Sequence, residues 1–156
     1  PRNAPVSGGL TSGPPAALLC AYARTAYTVA EGRAVARTGR RSPSVDALLQ
    51  RLGSRQGGFV TAWNPLSRRM PRGWNDRALE RLRAASRRLP RAEGWGIGRS
   101  WSEAHLLLGA DPRRVLVLAR RFRQHAIVAV RAGAPARVVH AHGAPMPIAM
   151  PRPRDR

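Results

Sequence analysis

The chain has no lysine, one cysteine, eight acidic residues in 156 and only eight aromatic ones. Each shortage excludes something. A lone cysteine, Cys20, excludes an internal disulfide framework and a cysteine-based zinc site. Scarce Asp and Glu argue against paired-carboxylate catalysis; Asp76 and Glu80 stand four apart, but Asp76 complements a helix N-terminus. No apolar run approaches the roughly 20 residues of a membrane span. Pro14–Ala23 is apolar and contains the cysteine, yet it is short and Arg2 is the only charge before it, so an ordinary first helix is expected there rather than a signal. A cytoplasmic protein without membrane attachment is the expectation.

What the chain has is arginine. All 28 basic residues are Arg, and the net charge is +20. A GC-rich genome accounts for Arg in place of Lys but not for the shortage of acids. The resulting positive field attracts polyanions. From Leu66 to Arg91 nine arginines face only Asp76 and Glu80. Arg68, Arg69, Arg72, Arg77, Arg81 and Arg88 are the candidates for nucleic-acid phosphates, with Trp63 and Trp74 flanking the loop as stacking partners. Arg77, Arg81 and Arg88 are expected on one helical face. The plain alternative is a solvated helix face with buried tryptophans, and no established nucleic-acid-binding motif is present.

The length fits one domain. Residues 1–13 are rich in Gly, Ser and Pro and are expected to be a disordered tail; 143–156, rich in Pro and Arg, a second one. Residues 14–142 then form a single compact α/β domain (α+β is the variant), with a mixed sheet and three to four helices. A helix follows Pro15. Ala26–Val29 and Arg33–Arg37 read as strands joined at Glu31-Gly32. Ser42 caps a helix ending at Gly53, with Val45, Leu48, Leu49 and Leu52 on one apolar face. After a Gly57-Gly58 break, Phe59–Trp63 reads as a buried strand stopped by Asn64-Pro65. Asn75 is expected to cap a helix reaching about Leu89. Residues 90–102 have no clear assignment. His105–Gly109 reads as a strand, Asp111-Pro112 starts a helix, and His125–Val130 and Ala136–His140 read as strands joined through Gly133.

In this order the segments resemble a small bacterial family, domain of unknown function 3293. The resemblance runs from about Leu18 to Val139. It rests on A-Y-x-x-T-x-Y-x-V (Ala21, Tyr22, Thr25, Tyr27, Val29) and on T-A-W-N-P (Thr61–Pro65). Ser67, Asn75, Glu103 before the L-x-L-G strand, and Arg121, Phe122, Gln124 and Ala126 continue it. Three positions depart from the family pattern: Trp74 stands in place of Glu, Ala104-His105 in place of Pro-Ser, and Phe122-Arg123-Gln124-His125 in place of Phe-Gly-Gln-Asn. The resemblance implies a shared fold and no assigned activity.

Asn64, Ser67, Asn75, Glu103 and Gln124 are the ligand-binding candidates, and Asn64, Asn75, Glu103 and Gln124 are expected to converge on one polar pocket at strand ends. Amides would orient a ligand and Glu103 could exchange a proton. Each has a structural rival: a turn for Asn64, an N-cap for Asn75, an arginine partner for Glu103, carbonyl satisfaction for Gln124. Ser67 lacks the context of a nucleophile. Gly94-Trp95-Gly96-Ile97-Gly98 is not placed as a phosphate loop, and His140 with His142 lacks a third metal ligand, so no metal and no cofactor are expected. Three functions remain open: binding of an anionic ligand (a nucleotide or nucleic-acid phosphates) at Asn64 and the arginine surface; an enzyme of unassigned class; an interaction module for an acidic protein. The oligomeric state is not readable.

Overall fold

A computed structural model describes residues 16–142; both expected tails lie outside them. Four α-helices and seven strands form one α and β domain, in the order α1 (Ala16–Arg24), β1 (Ala26–Val29), β2 (Ala34–Ala36), α2 (Pro43–Arg51), β3 (Gln56–Val60), α3 (Arg72–Ala85), β4 (Arg91–Ile97), β5 (Ser102–Leu108), α4 (Pro112–Arg121), β6 (Ala126–Arg131) and β7 (Arg137–His140). The strands lie in one sheet, ordered β2-β1-β4-β5-β3-β6-β7. Every ladder in it is antiparallel. Among the described residues the one parallel pairing is an isolated bridge between Thr38 and Ala136. The domain therefore takes the α+β form of the expected class.

That bridge joins the two ends of the sheet. Thr38 follows β2 and Ala136 precedes β7, the two edge strands, and Gly39 N–H donates to the Ala136 carbonyl at 2.7 Å. The sheet is thus curled into a half-barrel. The rings on its inner face say the same. β1 and β3 are separated by β4 and β5, roughly 14 Å along a flat sheet, yet the Tyr27 and Phe59 rings are 5.5 Å apart. This inner face holds Tyr27, Val29, Phe59, Leu107 and Val128 against Val45, Leu48 and Leu49 of α2. The outer face packs Val60, Leu106, Leu108 and Ile127 against α3 and α4.

Some elements depart from the sequence reading. The strand expected at 59–63 is β3, Gln56–Val60, and it includes Gly57 and Gly58. The glycines do not break it. A Cβ on Gly57 would collide with the backbone oxygen of Leu108 on the neighbouring strand, so the close approach requires glycine. The unassigned 90–102 region contains β4, where Gly94 similarly lies against the Thr28 carbonyl. The β1–β2 connection, by contrast, turns at Glu31-Gly32 as expected: Val29 pairs with Ala34 across the four residues 30–33, and Ala30, Glu31 and Gly32 all lie in the left-handed region. Asn75 does not cap α3, which starts at Arg72; and α3 ends at Ala85, so Arg88 lies in the turn beyond it rather than on the face of Arg77 and Arg81.

Ser42 does cap α2. Its hydroxyl accepts from Val45 N–H at 3.3 Å and donates to the Val35 carbonyl at 2.6 Å, fixing the helix to β2. Ser42→Ala should lower stability by roughly 1–2 kcal/mol, read as a shifted urea midpoint with an unchanged slope.

Candidate functional site

The end of β3 runs into a loop whose backbone is unusual. Asn64 (φ 47°), Leu66 (51°) and Ser67 (60°) all sit in the left-handed region. For residues other than glycine that conformation is disfavoured, and it persists only where surrounding contacts hold it. Here the contacts are specific. Leu66 N–H donates to the Arg123 carbonyl at 2.8 Å, and Met70 N–H donates to Asn64 Oδ1 at 2.9 Å.

Asn75 is the hub of this arrangement. It lies on the first turn of α3 and is buried, 4% exposed. Its Oδ1 accepts from the backbone N–H of Asn64 at 3.0 Å. Its amide donates to Asn64 Oδ1 at 3.0 Å and to the Met70 carbonyl at 3.3 Å. Asn64 in turn donates from Nδ2 to Glu103 Oε1 at 2.8 Å. Gln124, just past α4, donates from Nε2 to the carbonyls of Trp63 and Phe122, both at 3.1 Å. Four side chains from distant parts of the sequence thus meet at one end of the sheet.

Counting hydrogen-bonding capacity separates their roles. An amide offers two N–H donors and a carbonyl oxygen. Asn75 uses all three. Asn64 uses both lone pairs of its oxygen and one N–H. Gln124 places its amide nitrogen on two backbone carbonyls. These amides are committed to the protein itself: they clasp the loop and aim a carboxylate. Among the described residues Glu103 Oε1 is held by Asn64 and by no arginine, and Oε2 has no partner. Glu103 is therefore the acidic group left available.

It lines a cleft of about 1080 Å³ together with all the polar candidates, Asn64, Ser67, Asn75 and Gln124. Ser67 is an exposed residue at the rim. Burial raises the proton affinity of Glu103 above the ordinary carboxylate range, opposed by the Asn64 hydrogen bond. Burial, assisted by the Glu103 charge, pushes the Tyr22 hydroxyl of α1 up to about 12, and Tyr27 is raised likewise.

The sequence reading passed over His105 as a site residue. Glu103, His105 and Leu107 alternate on β5 and share its inner face, and His105 lines the cleft edge-on to Tyr27 with ring centroids 5.5 Å apart. Its Nδ1 lies 2.9 Å from the Glu103 carbonyl oxygen. A carbonyl only accepts, so Nδ1 carries the proton and Nε2 holds the lone pair. Burial lowers its pKa to about 4, against the effect of that hydrogen bond, which keeps the ring neutral at pH 7. Starting the strand at Ser102 instead of His105 would have revealed the shared face.

Of the arginine candidates, Arg69 and Arg72 line the cleft. Arg68, Arg77, Arg81 and Arg88 are exposed but do not line it. Arg81 lies over the Trp74 ring at 5.9 Å, and Arg72 is 3.8 Å from the Asp76 carboxylate. Trp63 and Trp95 meet edge-on at 5.6 Å on the cleft wall. Among the described residues no three His, Cys, Asp or Glu side chains are grouped to hold a metal ion, and no helix is long and apolar enough to cross a membrane.

No curated protein and no solved structure matches the chain. Residues 60–127, which contain Asn64, Asn75, Glu103 and Gln124, match the family described as protein of unknown function (DUF3293), supporting the membership that the sequence resemblance implied.

Proposed function

We propose that the cleft binds a small organic anion of the nucleotide class. Tryptophan and tyrosine walls would take a planar ring. Arg69 and Arg72, at the mouth, would take the phosphate, since a guanidinium matches its geometry. Glu103 Oε2 would meet an N–H group on the ring edge. The observation that carries this reading is the clasp: Asn75 and Gln124 hold the backbone and side chains around Asn64, and Asn64 holds the Glu103 carboxylate, in a cleft also lined by Arg69 and Arg72.

Isothermal titration with the four common nucleoside 5′-monophosphates and their nucleosides tests it. At least one monophosphate should bind saturably, and its nucleoside more weakly. Glu103→Gln should weaken the preferred ligand roughly 10- to 150-fold, the range of a hydrogen bond to a charged group. Equal heats for all eight compounds, unchanged by Glu103→Gln, would refute the reading.

A second reading is acid–base chemistry on the bound ligand. The raised proton affinity of Glu103 and the neutral His105 on the same strand face favour it. It would appear as turnover lost in Glu103→Gln while binding of the ligand survives.

A further inference from the structure

The cleft is large for a single nucleotide, and it reaches both faces of the sheet end. Its volume of about 1080 Å³ stands at the top of the roughly 300–1,000 Å³ usual for a single small-molecule site. Cross-strand partners in a ladder share a face. Gly96 pairs with Glu103 and Gly94 with His105, so Glu103 and His105 look inward, while Trp95, between those glycines, looks outward. Trp95 nevertheless lines the same cleft. The cleft therefore passes from the inner face, over the strand ends, to the outer one.

Exposed apolar surface, two of its three residues tryptophan, follows that path. Trp95 is 42% exposed, Ile97 45% and Trp101 39%. Trp101 lies at the tip of the β4–β5 hairpin, its ring across Gly98, where a Cβ would strike the indole. The glycine thus makes room for the indole against the backbone. Exposed Arg69, in the loop before α3, and exposed Arg72, at the start of α3, line the same cleft as Trp95 and Trp101, and exposed Arg68 is the chain neighbour of Arg69. Exposed aromatic rings and arginines in one cleft, on a protein of net charge +20, are what an unpaired nucleic-acid strand requires: stacking for bases and charge for phosphates. A duplex keeps its bases stacked inside and leaves such rings unused.

We infer that the occupant is a single-stranded nucleic acid, one nucleotide seated at Glu103 and its neighbours stacked on Trp95 and Trp101 with their phosphates along Arg68, Arg69 and Arg72. This deepens the nucleotide reading and rests on it. RNA and DNA share the chemistry.

Fluorescence anisotropy across a salt series separates the outcomes, with labelled decamers of thymidine (DNA) and uridine (RNA), a hairpin duplex of equal charge, and the mononucleotides as competitors. Single strands should bind at least tenfold more tightly than the duplex at the same salt. Preference between the two decamers identifies the sugar. Trp95→Leu and Trp101→Leu should each weaken decamer binding roughly 5- to 150-fold, the range of one base–aromatic stack. Neither should alter the salt slope, because they remove no charge. The Trp→Phe variants should restore much of the loss, which a general folding defect would not allow. Arg69→Gln with Arg72→Gln should flatten the slope by about 0.7 per phosphate released. Equal binding of duplex and single strand, indifferent to both tryptophans, would overturn the proposal and indicate attraction to net charge alone. Glu103-dependent mononucleotide binding with no gain for the decamers would also overturn it, while leaving the nucleotide reading intact. Absence of both would end both.

Discussion

Replacing Asn75 by alanine should cost roughly 3–5 kcal/mol of stability and weaken ligand binding at the cleft. The side chain makes three hydrogen bonds in a buried position. Its loss strands the backbone N–H of Asn64 and the Met70 carbonyl and takes one of two donors from Asn64 Oδ1. An unsatisfied buried polar group costs about 1–3 kcal/mol. The loop also holds three residues in the left-handed region, so releasing the clasp lets it relax. Asn64 would then no longer aim Glu103, and binding should weaken without any change at a residue that touches the ligand. Asn75→Asp is the sharper variant. It is nearly isosteric, but its second oxygen cannot donate to Asn64 Oδ1 or to the Met70 carbonyl. Chemical denaturation of both variants, beside titration with the preferred ligand, measures the two effects. If Asn75→Asp retained full stability, the hydrogen-bond assignment at this residue would be wrong.

That clasp was only half legible in the sequence. Asn64, Asn75, Glu103 and Gln124 could be picked out, and their convergence expected, because they are the polar residues that the chain shares with the family pattern it resembles. Their roles could not. An asparagine near the start of a helix reads as a cap, since local spacing is all that a sequence displays; the partner that decides the matter, Asn64, is reached only through the tertiary fold. The α2 face was legible for the opposite reason: Ser42, Pro43 and the Val45, Leu48, Leu49, Leu52 spacing are local signals; the first three apolar residues are buried as expected, and Leu52, just past the helix end, is half-buried against the same core. Strand β4 was not, because Gly94 and Gly96 are poor strand formers in isolation. They are tolerated there because the sheet curls and neighbouring atoms occupy the space where a Cβ would project: the Thr28 backbone at Gly94 and the His105 ring at Gly96.

His105 should make the protein lose stability as the medium is acidified through the histidine range. An unfolded histidine titrates near 6.5. In the fold, burial brings it down to about 4. Between those values the unfolded chain holds a proton there that the native chain does not, so stability rises with pH across the window and falls on acidification. The native state is undisturbed above about pH 6.5 and bears the full cost below about pH 4, about 3 kcal/mol in all. Glu103, whose side chain lies on the same strand face, acts in the other direction. Its native proton affinity is raised, so its own contribution favours the fold as pH falls through the region just above the ordinary carboxylate range. The two slopes oppose each other, and the wild-type curve alone would understate His105. The difference between wild type and His105→Gln isolates it: glutamine retains an N–H that can reach the Glu103 carbonyl and has no group that titrates. Urea midpoints taken every half unit from pH 4 to 8 should show the wild type losing stability relative to His105→Gln as pH drops, with the two curves parallel above pH 7. Parallel curves throughout would mean that the imidazole reaches water in the native state. The neutral ring assigned to the cleft, and with it the acid–base reading of the site, would then have to be abandoned.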